Sequence, residues 1–329
     1  VRDPRRAASL EEANYLTRLR LSATTVTGQP LAERYTKAAE QLGHDQAAVR
    51  LAGVYAMARL ADDWEEQRRV CVNVLCAYLR MPYETDTGAE GYMKGEREVR
   101  LTIIRTIRDH LQDPATATTW CGYDLDFTDA VFDGGDFAGV QLIGGTVSFS
   151  GATFSAGTVH FSGATFSGST VHFNRATFSG STVHFNRATF SGSTIYFNAA
   201  TFSSGTVNFS TATFSGGRVH FNAATFSGSG ALFNGAKFSG STVNFNVATF
   251  SGGRVDFNGA TFSSGTVSFG IATLSGATVA FHRATFSGAT VTLSRAIFSG
   301  GRVDFEDARI HAACTIIWGP LPTIPVNQF

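Results

Sequence analysis

The chain has few charged residues and no excess of either sign. Only 16% of its 329 residues are charged, and 26 Lys and Arg balance 26 Asp and Glu. A neutral chain has no bulk attraction for nucleic acid or acidic lipid, so no nucleic-acid partner is expected. The charges are unevenly placed, because residues 1–112 hold 17 of the basic and 16 of the acidic residues. This composition shift predicts a domain boundary near Asp113 and Pro114.

Cysteine is also scarce, and its spacing indicates neither a disulfide framework nor a zinc site. Unpaired cysteines of this kind are typical of buried thiols in a reducing compartment, so a cytoplasmic location is expected. The four are Cys71, Cys76, Cys121 and Cys314.

Long apolar runs are absent. The longest, from Val70 to Leu79, is interrupted by Asn73 and falls short of the roughly 20 residues that cross a bilayer. No membrane span is therefore predicted in this chain. The first residues, Val1 to Arg6, are basic but have no apolar core behind them, so no secretory signal is predicted.

Phenylalanine, in contrast, is abundant and periodic. From Phe149 to Phe305, two phases of a twelve-residue repeat hold 25 of the 29 phenylalanines. A typical copy, Arg175 to Asn186, reads RATFSGSTVHFN. A short fixed period without helical spacing predicts a β-solenoid, in which each unit buries its apolar side by stacking on its neighbours.

The front of the chain predicts a small all-α domain over residues 1–113. Amphipathic patterns and caps indicate helices at 7–21, 30–43, 45–61, 64–80 and 96–111, with an exposed loop at 82–95. Residues 48–52 and 98–102 resemble each other and the second helix of HEAT-type repeats, so the domain is described as HEAT-like.

The opening of the repeat region supplies a more specific resemblance. Phe127, Phe132, Phe137 and Leu142 are spaced by five, which resembles the pentapeptide-repeat family. The resemblance implies a right-handed quadrilateral β-solenoid with four five-residue faces per turn. The expected fold is therefore α+β multidomain, with helices at 1–113, the solenoid at 120–308 and a C-terminal cap at 309–329 containing Trp318 and three prolines.

The Phe residues of both phases form the apolar side of the twelve-residue repeat. The family resemblance carried by Phe127 to Leu142 implies that the Ala two residues before the first phase and the Val two residues before the second also point inward. In the first turns these interior residues are Phe154, Phe161, Phe166, Phe173, Phe178, Phe185, Phe190, Phe197, Ala152, Ala164, Val159 and Val171.

The front region from Glu33 to Ala56 resembles the helical segment of actinobacterial members of this family. Many such relatives carry membrane helices before that segment. Membrane association is therefore the alternative location if the sequence begins after such helices.

Two coil geometries fit the repeat. In the square coil each twelve-residue unit supplies two faces and a turn takes about 24 residues, giving roughly eight turns. A flat coil of twelve residues would stack Arg175 directly on Arg187 at about 4.8 Å. Because like charges so close are unfavourable, the square coil is favoured.

The repeat region, called the array below, contains no recognisable set of catalytic residues. Asp256 is the only acidic residue between Phe137 and Val303, so neither paired carboxylates nor a Ser-His-Asp set can be formed. No catalytic, cofactor-binding or metal-binding residue is predicted. The outward histidines His160, His172, His184 and His220 are interpreted as solvated surface.

The predicted function is a non-enzymatic scaffold or protein-interaction module whose partner is a protein. One alternative, implied by the resemblance, is a DNA mimic that interacts with DNA gyrase. That role needs outward carboxylates, whereas the array carries Thr153 and its equivalents at those positions. A second alternative is an ice-binding solenoid, suggested by outward rows such as Thr153 and Ser155, although exposed strands favour these residues in any case.

Overall fold

A computed structural model describes residues 30–228 and 230–318. Contacts between Cα atoms divide the chain into two compact units, Val1–Val72 and Asn73–Phe329. The helix predicted at 7–21 and the three prolines predicted to cap the C-terminal end lie outside the described residues. The domain boundaries at 113 and 308 stay predictions, as do the HEAT-like and actinobacterial resemblances.

The described residues contain four α-helices, with bounds close to those predicted. They are α1 Leu31–Leu42, α2 Ala47–Asp63, α3 Arg68–Arg80 and α4 Glu96–His110, with a short 3₁₀-helix at Glu65–Gln67 before α3. The sequence placed the start of the third described helix at Trp64. The chain instead winds through the 3₁₀ turn first, so the α-helix begins at Arg68.

In the first unit, α1 packs against α2. Ala38 and Leu42 of α1 are buried, as are Val54 and Met57 of α2. Gly53 permits the close approach, because a Cβ at this position would lie 2.7 Å from the backbone nitrogen of Leu42. The two helices must therefore separate if Gly53 is replaced.

The second unit contains a parallel β-solenoid of four sheets, named here sheets A to D. Sheet A consists of β1 Leu125–Asp126, β5 Thr146–Ser148, β9 Thr170–His172, β13 Thr194–Tyr196, β17 Arg218–His220, β21 Ser241–Asn244, β25 Gly265–Ser268, β29 Ala289–Thr292 and β33 Thr315–Ile317. Sheet B consists of β2 Val131–Phe132, β6 Thr153–Phe154, β10 Thr177–Phe178, β14 Thr201–Phe202, β18 Thr225–Ser227, β22 Thr249–Ser251, β26 Thr273–Ser275 and β30 Ile297–Ser299.

The remaining strands form the other two sheets. Sheet C consists of β3 Gly135–Asp136, β7 Thr158–His160, β11 Ser181–His184, β15 Gly205–Asn208, β19 Gly230–Leu232, β23 Arg254–Asp256, β27 Thr278–Ala280 and β31 Arg302–Asp304. Sheet D consists of β4 Gln141–Ile143, β8 Thr165–Ser167, β12 Thr189–Ser191, β16 Thr213–Ser215, β20 Lys237–Ser239, β24 Thr261–Phe262, β28 Thr285–Phe286 and β32 Arg309–Ile310.

The strand register confirms the square coil. Thr177 of β10 pairs with Thr153 and Thr201, 24 residues away on either side. Thr189 instead lies in β12 and pairs with Thr165 and Thr213. Each twelve-residue unit therefore supplies two of four sides, and the twelve-residue coil is wrong.

The first and last turns depart from the 24-residue period. Leu125 pairs with Val147, 22 residues later, because the two-residue insertion at the corner from sheet B to sheet C is missing between Phe132 and Phe137. At the other end Thr290 pairs with Thr315, 25 residues later, because one residue is added before β33.

The solenoid core consists of stacked aromatic columns. Phe178 and Phe202 stack at 4.6 Å between ring centroids, whereas Phe173 and Phe185, from different columns, meet edge to face at 6.0 Å and 88°. Both arrangements are favourable for aromatic quadrupoles. Across the described residues, no helix is long and apolar enough to cross a membrane.

Candidate interaction surfaces

The predicted interior residues all lie in the solenoid core. Each is at most 2% exposed, and Phe173, Phe185 and Phe197 are fully buried. The other members of the set are Phe154, Phe161, Phe166, Phe178, Phe190, Ala152, Ala164, Val159 and Val171. These side chains fix the spacing of the outward residues between them, and they are not accessible to a partner.

Sheet A presents a column of large outward side chains. His172, Tyr196 and His220 follow one another in register, with ring centroids 5.1 and 5.2 Å apart. Arg218 stands beside His220 on β17 and is exposed. Partial burial lowers the pKa of both histidines from 6.5. The rings face one another, so a partner meets their edges and polar atoms rather than a stacking platform.

Sheet C carries a shorter ring pair. His160 and His184 stack at 5.2 Å, and Asp136 occupies the preceding position in the same column. Burial, and to a lesser extent the neighbouring His160, lowers the pKa of His184. Further along, Asp256 is 7% exposed and is paired with Arg254.

Sheets B and D present mostly short hydroxyl side chains, and they form two separate rows as predicted. On sheet B the row runs through Thr153, Thr177, Thr201, Thr225, Thr249 and Thr273, and Ile297 ends it. The row on sheet D is interrupted by Lys237. The hydroxyl side chains are therefore divided between two separate sheets, which gives no additional support to the ice-binding alternative.

The tight corners of the coil hold side chains in the left-handed backbone region. Arg175 and Arg187 occupy such corners and are exposed. Val247 and Ile271 have φ values of 61° and 58° and are 55% and 50% exposed. A β-branched side chain is strained in this conformation, and Thr211, with a φ of 60°, is a further β-branched residue at a corner.

Helix α4 packs against the first turn of the solenoid. Ile104 of α4 faces Gly135 of β3. A Cβ added at Gly135 would lie 3.2 Å from Cδ1 of Ile104. The carboxylate of Asp133 accepts hydrogen bonds from Tyr83 at 2.8 Å and from Arg97 at 2.9 Å. Asp136 is likewise bound by Arg108. Asp133 and Asp136 of the first turn are thus paired with arginines of α4.

A buried polar network supports this contact from behind α4. Arg100 is 2% exposed and donates to the carbonyl oxygens of Tyr78 and Leu79. Its guanidinium lies 4.4 Å from the ring centroid of Tyr83, a favourable cation–π distance. Burial lowers the pKa of Arg100, although Glu96 nearby opposes this effect.

An open cleft lies between the outer side of α4 and sheet C. Its volume is about 380 Å³. The lining residues are Arg97, Glu98, Leu101, Arg105 and Arg108 from α4, and Gly134, Gly135, Asp136, Thr158 and His160 from the solenoid. Arginine, histidine and carboxylate groups meet here more densely than in the hydroxyl rows of sheets B and D.

The described residues include two buried thiols with raised pKa values but no cluster of metal ligands. No group of three His, Cys, Asp or Glu side chains among them could hold a metal ion. Burial raises the pKa of Cys71 to about 11 and that of Cys76 to about 12. Because the thiolate is the nucleophile, neither cysteine is reactive near neutral pH.

Comparison with known sequences identifies the repeat. Residues 127–172 and 173–225 match the pentapeptide repeats family, with nine copies. Together with the four-sided parallel coil, this match decides the assignment. The chain is a pentapeptide-repeat protein. No curated protein matches it.

Among solved structures, this pentapeptide-repeat chain is similar to a trypsin-treated variant of QnrB1, a plasmid-mediated fluoroquinolone resistance protein. The identity is 17%, the TM-score is 0.16, and the match covers 58% of this chain and 89% of that one. Similarity at this level does not bear on the partner.

The cleft was not predicted from the sequence. Arg97, Arg105 and Arg108 have the spacing of one helix face, and this was visible in the sequence. Arg97 pairs with Asp133, 36 residues away in the sequence, and Arg108 pairs with Asp136, 28 residues away. Only the docked helix therefore shows that these charges are paired.

Proposed function

We propose that this pentapeptide-repeat protein is a non-enzymatic scaffold that binds a partner protein through sheet A. The observation that carries the proposal is the separation of side-chain types among the four sides. Sheet A concentrates His172, Tyr196, Arg218 and His220 on consecutive turns, whereas sheets B and D repeat Thr and Ser. Tyrosine and arginine are the residue types that dominate protein interfaces.

The core supports this role by fixing the surface. Ile195 and Val219 anchor β13 and β17 inside the coil and are 1% exposed. The next side chain of each strand, Tyr196 or His220, is therefore held at a defined height and direction. A surface that is ordered before binding loses less conformational entropy when the partner docks.

The charge pattern opposes the DNA-mimic alternative. Between Phe137 and Val303 the sole carboxylate, Asp256, is almost buried and paired with Arg254. Its charge therefore cannot contribute to a row of outward carboxylates that would imitate the phosphates of DNA. We place the scaffold in the cytoplasm, because thiols such as Cys76 and Cys314, free in the described structure, persist in reducing compartments.

The test is a pull-down with the full chain as bait and matched surface variants. The first bait combines Tyr196→Ser with Arg218→Thr on sheet A. The control bait carries Thr201→Ser and Thr225→Ser on sheet B. Circular dichroism melts of each bait establish first that the solenoid is intact.

The proposal predicts a protein that wild type and the sheet B control retain and the sheet A variant loses. If the sheet A variant retains every protein that wild type retains, the assignment to sheet A is wrong. If wild type retains no protein above the level of an unrelated solenoid, the scaffold role itself is contradicted.

A further inference from the structure

The cleft beside α4 has an arrangement of charge that the proposed function does not use. Arg97, Arg105 and Arg108 lie along one side of the helix, with Leu101 between them. At about 1.5 Å of rise per residue, Arg97 and Arg108 are separated by roughly 16 Å along the axis. The three guanidinium groups therefore form a line, and each is paired with at least one carboxylate.

Two of these arginines keep unused donors. Arg97 uses Nε and Nη2 on Asp133, and Arg105 uses Nη2 on Glu98 and Thr102. Within the described residues, Nη1 of Arg97 and both Nε and Nη1 of Arg105 make no hydrogen bond. The two side chains are 57% and 48% exposed, so a ligand can reach them.

Two carboxylates also line the cleft. Glu98 is 3.1 Å from Arg105, and Asp136 is paired with Arg108. Asp109 pairs with Arg108 at the far end of the row. Glu98 is 58% exposed, and exposed ion pairs of this kind are weak. An acidic ligand can therefore compete with Glu98 for Arg105.

The floor of the cleft leaves room for a main chain. Gly134 and Gly135 form its solenoid side, and they bring no side chains into the space. A Cβ at Gly134 would lie 3.3 Å from Nη2 of Arg97. Thr158 and His160 of the next strand in sheet C add polar groups to the same side.

We propose that this cleft binds an extended acidic segment of a partner protein, lying along α4. A free phosphate can bridge adjacent guanidinium groups but cannot span about 16 Å, whereas about five extended residues can. The inference rests on the proposed interaction role and adds a second contact site, because the cleft and the Tyr196 column lie on different sheets.

The probe is a fluorescein-labelled hexaglutamate peptide, and the full chain is titrated by fluorescence anisotropy at low salt. Arg105→Gln removes the unused donors and leaves Glu98 unpaired, so we expect binding about threefold weaker or more. Glu98→Gln removes the competitor and frees Arg105, so we expect binding about threefold tighter.

Two controls make the same charge changes elsewhere. Arg187→Gln alters an exposed corner, and Glu306→Gln alters a side chain that is 69% exposed near the other end of the solenoid. Neither control should change the affinity by more than about 1.5-fold, since screening weakens distant charges. The double variant on sheet A, Tyr196→Ser with Arg218→Thr, should also bind the peptide normally, which separates this test from that of the scaffold surface.

Each other outcome overturns the proposal. Equal changes in Arg105→Gln and Arg187→Gln would show bulk charge attraction. Undetectable hexaglutamate binding would show that the cleft is no acidic-peptide site. Displacement by inorganic phosphate at the same concentration as unlabelled hexaglutamate would assign the cleft to a small anion.

Discussion

Replacing Phe190 by alanine tests the stacked core most sharply. Phe190 is 1% exposed and lies between Phe166 and Phe214, with centroid distances of 4.7 and 4.8 Å. It also meets Phe185 and Phe209 at 6.2 and 6.1 Å. Neighbouring turns are held in register by the strand pairing, so the cavity left by the ring has little means of closing.

Replacing a core Phe by Ala typically lowers the free energy of unfolding by about 3 to 5 kcal/mol. Each aromatic pair adds about 0.5 to 1.5 kcal/mol, and two stacked partners are lost here. We therefore expect the upper part of that range, about 4 to 5 kcal/mol, for Phe190→Ala. The neighbouring Thr189 points outward and is exposed, so Thr189→Ala should cost under about 0.5 kcal/mol.

Guanidinium unfolding followed by far-ultraviolet circular dichroism compares the two variants. Phe298 provides a graded control, because it lies in the last turn of sheet B and is only partly buried. The loss of unfolding free energy in Phe298→Ala should lie between those of Phe190→Ala and Thr189→Ala. Because repeat arrays can unfold in stages, the midpoint and the slope must both be fitted. Equal destabilisation by Phe190→Ala and Thr189→Ala would refute the stacked-core reasoning.

Three further predictions concern the boundary, the corners and pH. A fragment of residues 120–329 should keep β-type circular dichroism. It should unfold at a lower denaturant concentration than a fragment of residues 73–329, because Asp133 and Asp136 lose their arginine partners. An unfolded 120–329 fragment would contradict the boundary at 113. Val247→Asn should stabilise the solenoid by about 0.5 to 1 kcal/mol by relieving strain at φ 61°, whereas no change in the unfolding midpoint would show that the corner is unstrained. Burial lowers the folded-state pKa of His172, His184 and His220 below 6.5, so the unfolded chain binds more protons as the pH falls. The stability linked to this shift is complete above pH 6.5 and is lost as the pH falls through the lowered folded pKa. The urea midpoint of wild type should therefore fall in acid relative to that of the triple His→Asn variant, and parallel curves would refute the assignment.

Much of the fold follows from the sequence because one constraint repeats. Phe178 and Phe190 occupy equivalent places in successive units. A repeated spacing of this kind leaves few backbone geometries that bury both side chains. The position of Arg175 was enough to choose between the two coil geometries. The pairing of Thr177 with Thr201 confirms that choice.

The candidate sites followed less directly. The outward position of His172 and Tyr196 was visible in the repeat, and the interpretation of the histidines as solvated surface stays a prediction. The contact of α4 with β3 joins segments that share no repeat, so neither the pairing of Arg97 with Asp133 nor the cleft beside it could be predicted. The strained corners at Val247 and Ile271 depend on backbone angles that hydrophobic periodicity does not report.

Every surface assignment depends on which residues share a side of the coil, and a pair of engineered disulfides measures this directly. Neighbouring parallel strands are about 4.8 Å apart, within the range of Cα separations that a disulfide spans. Thr177→Cys with Thr201→Cys should therefore cross-link within the chain under mild oxidation, as shown by peptide mass spectrometry. Thr177→Cys with Thr189→Cys should not, since these residues lie on sheets B and D. A cross-link in the second pair and none in the first would contradict the four-sided coil and every assignment built on it.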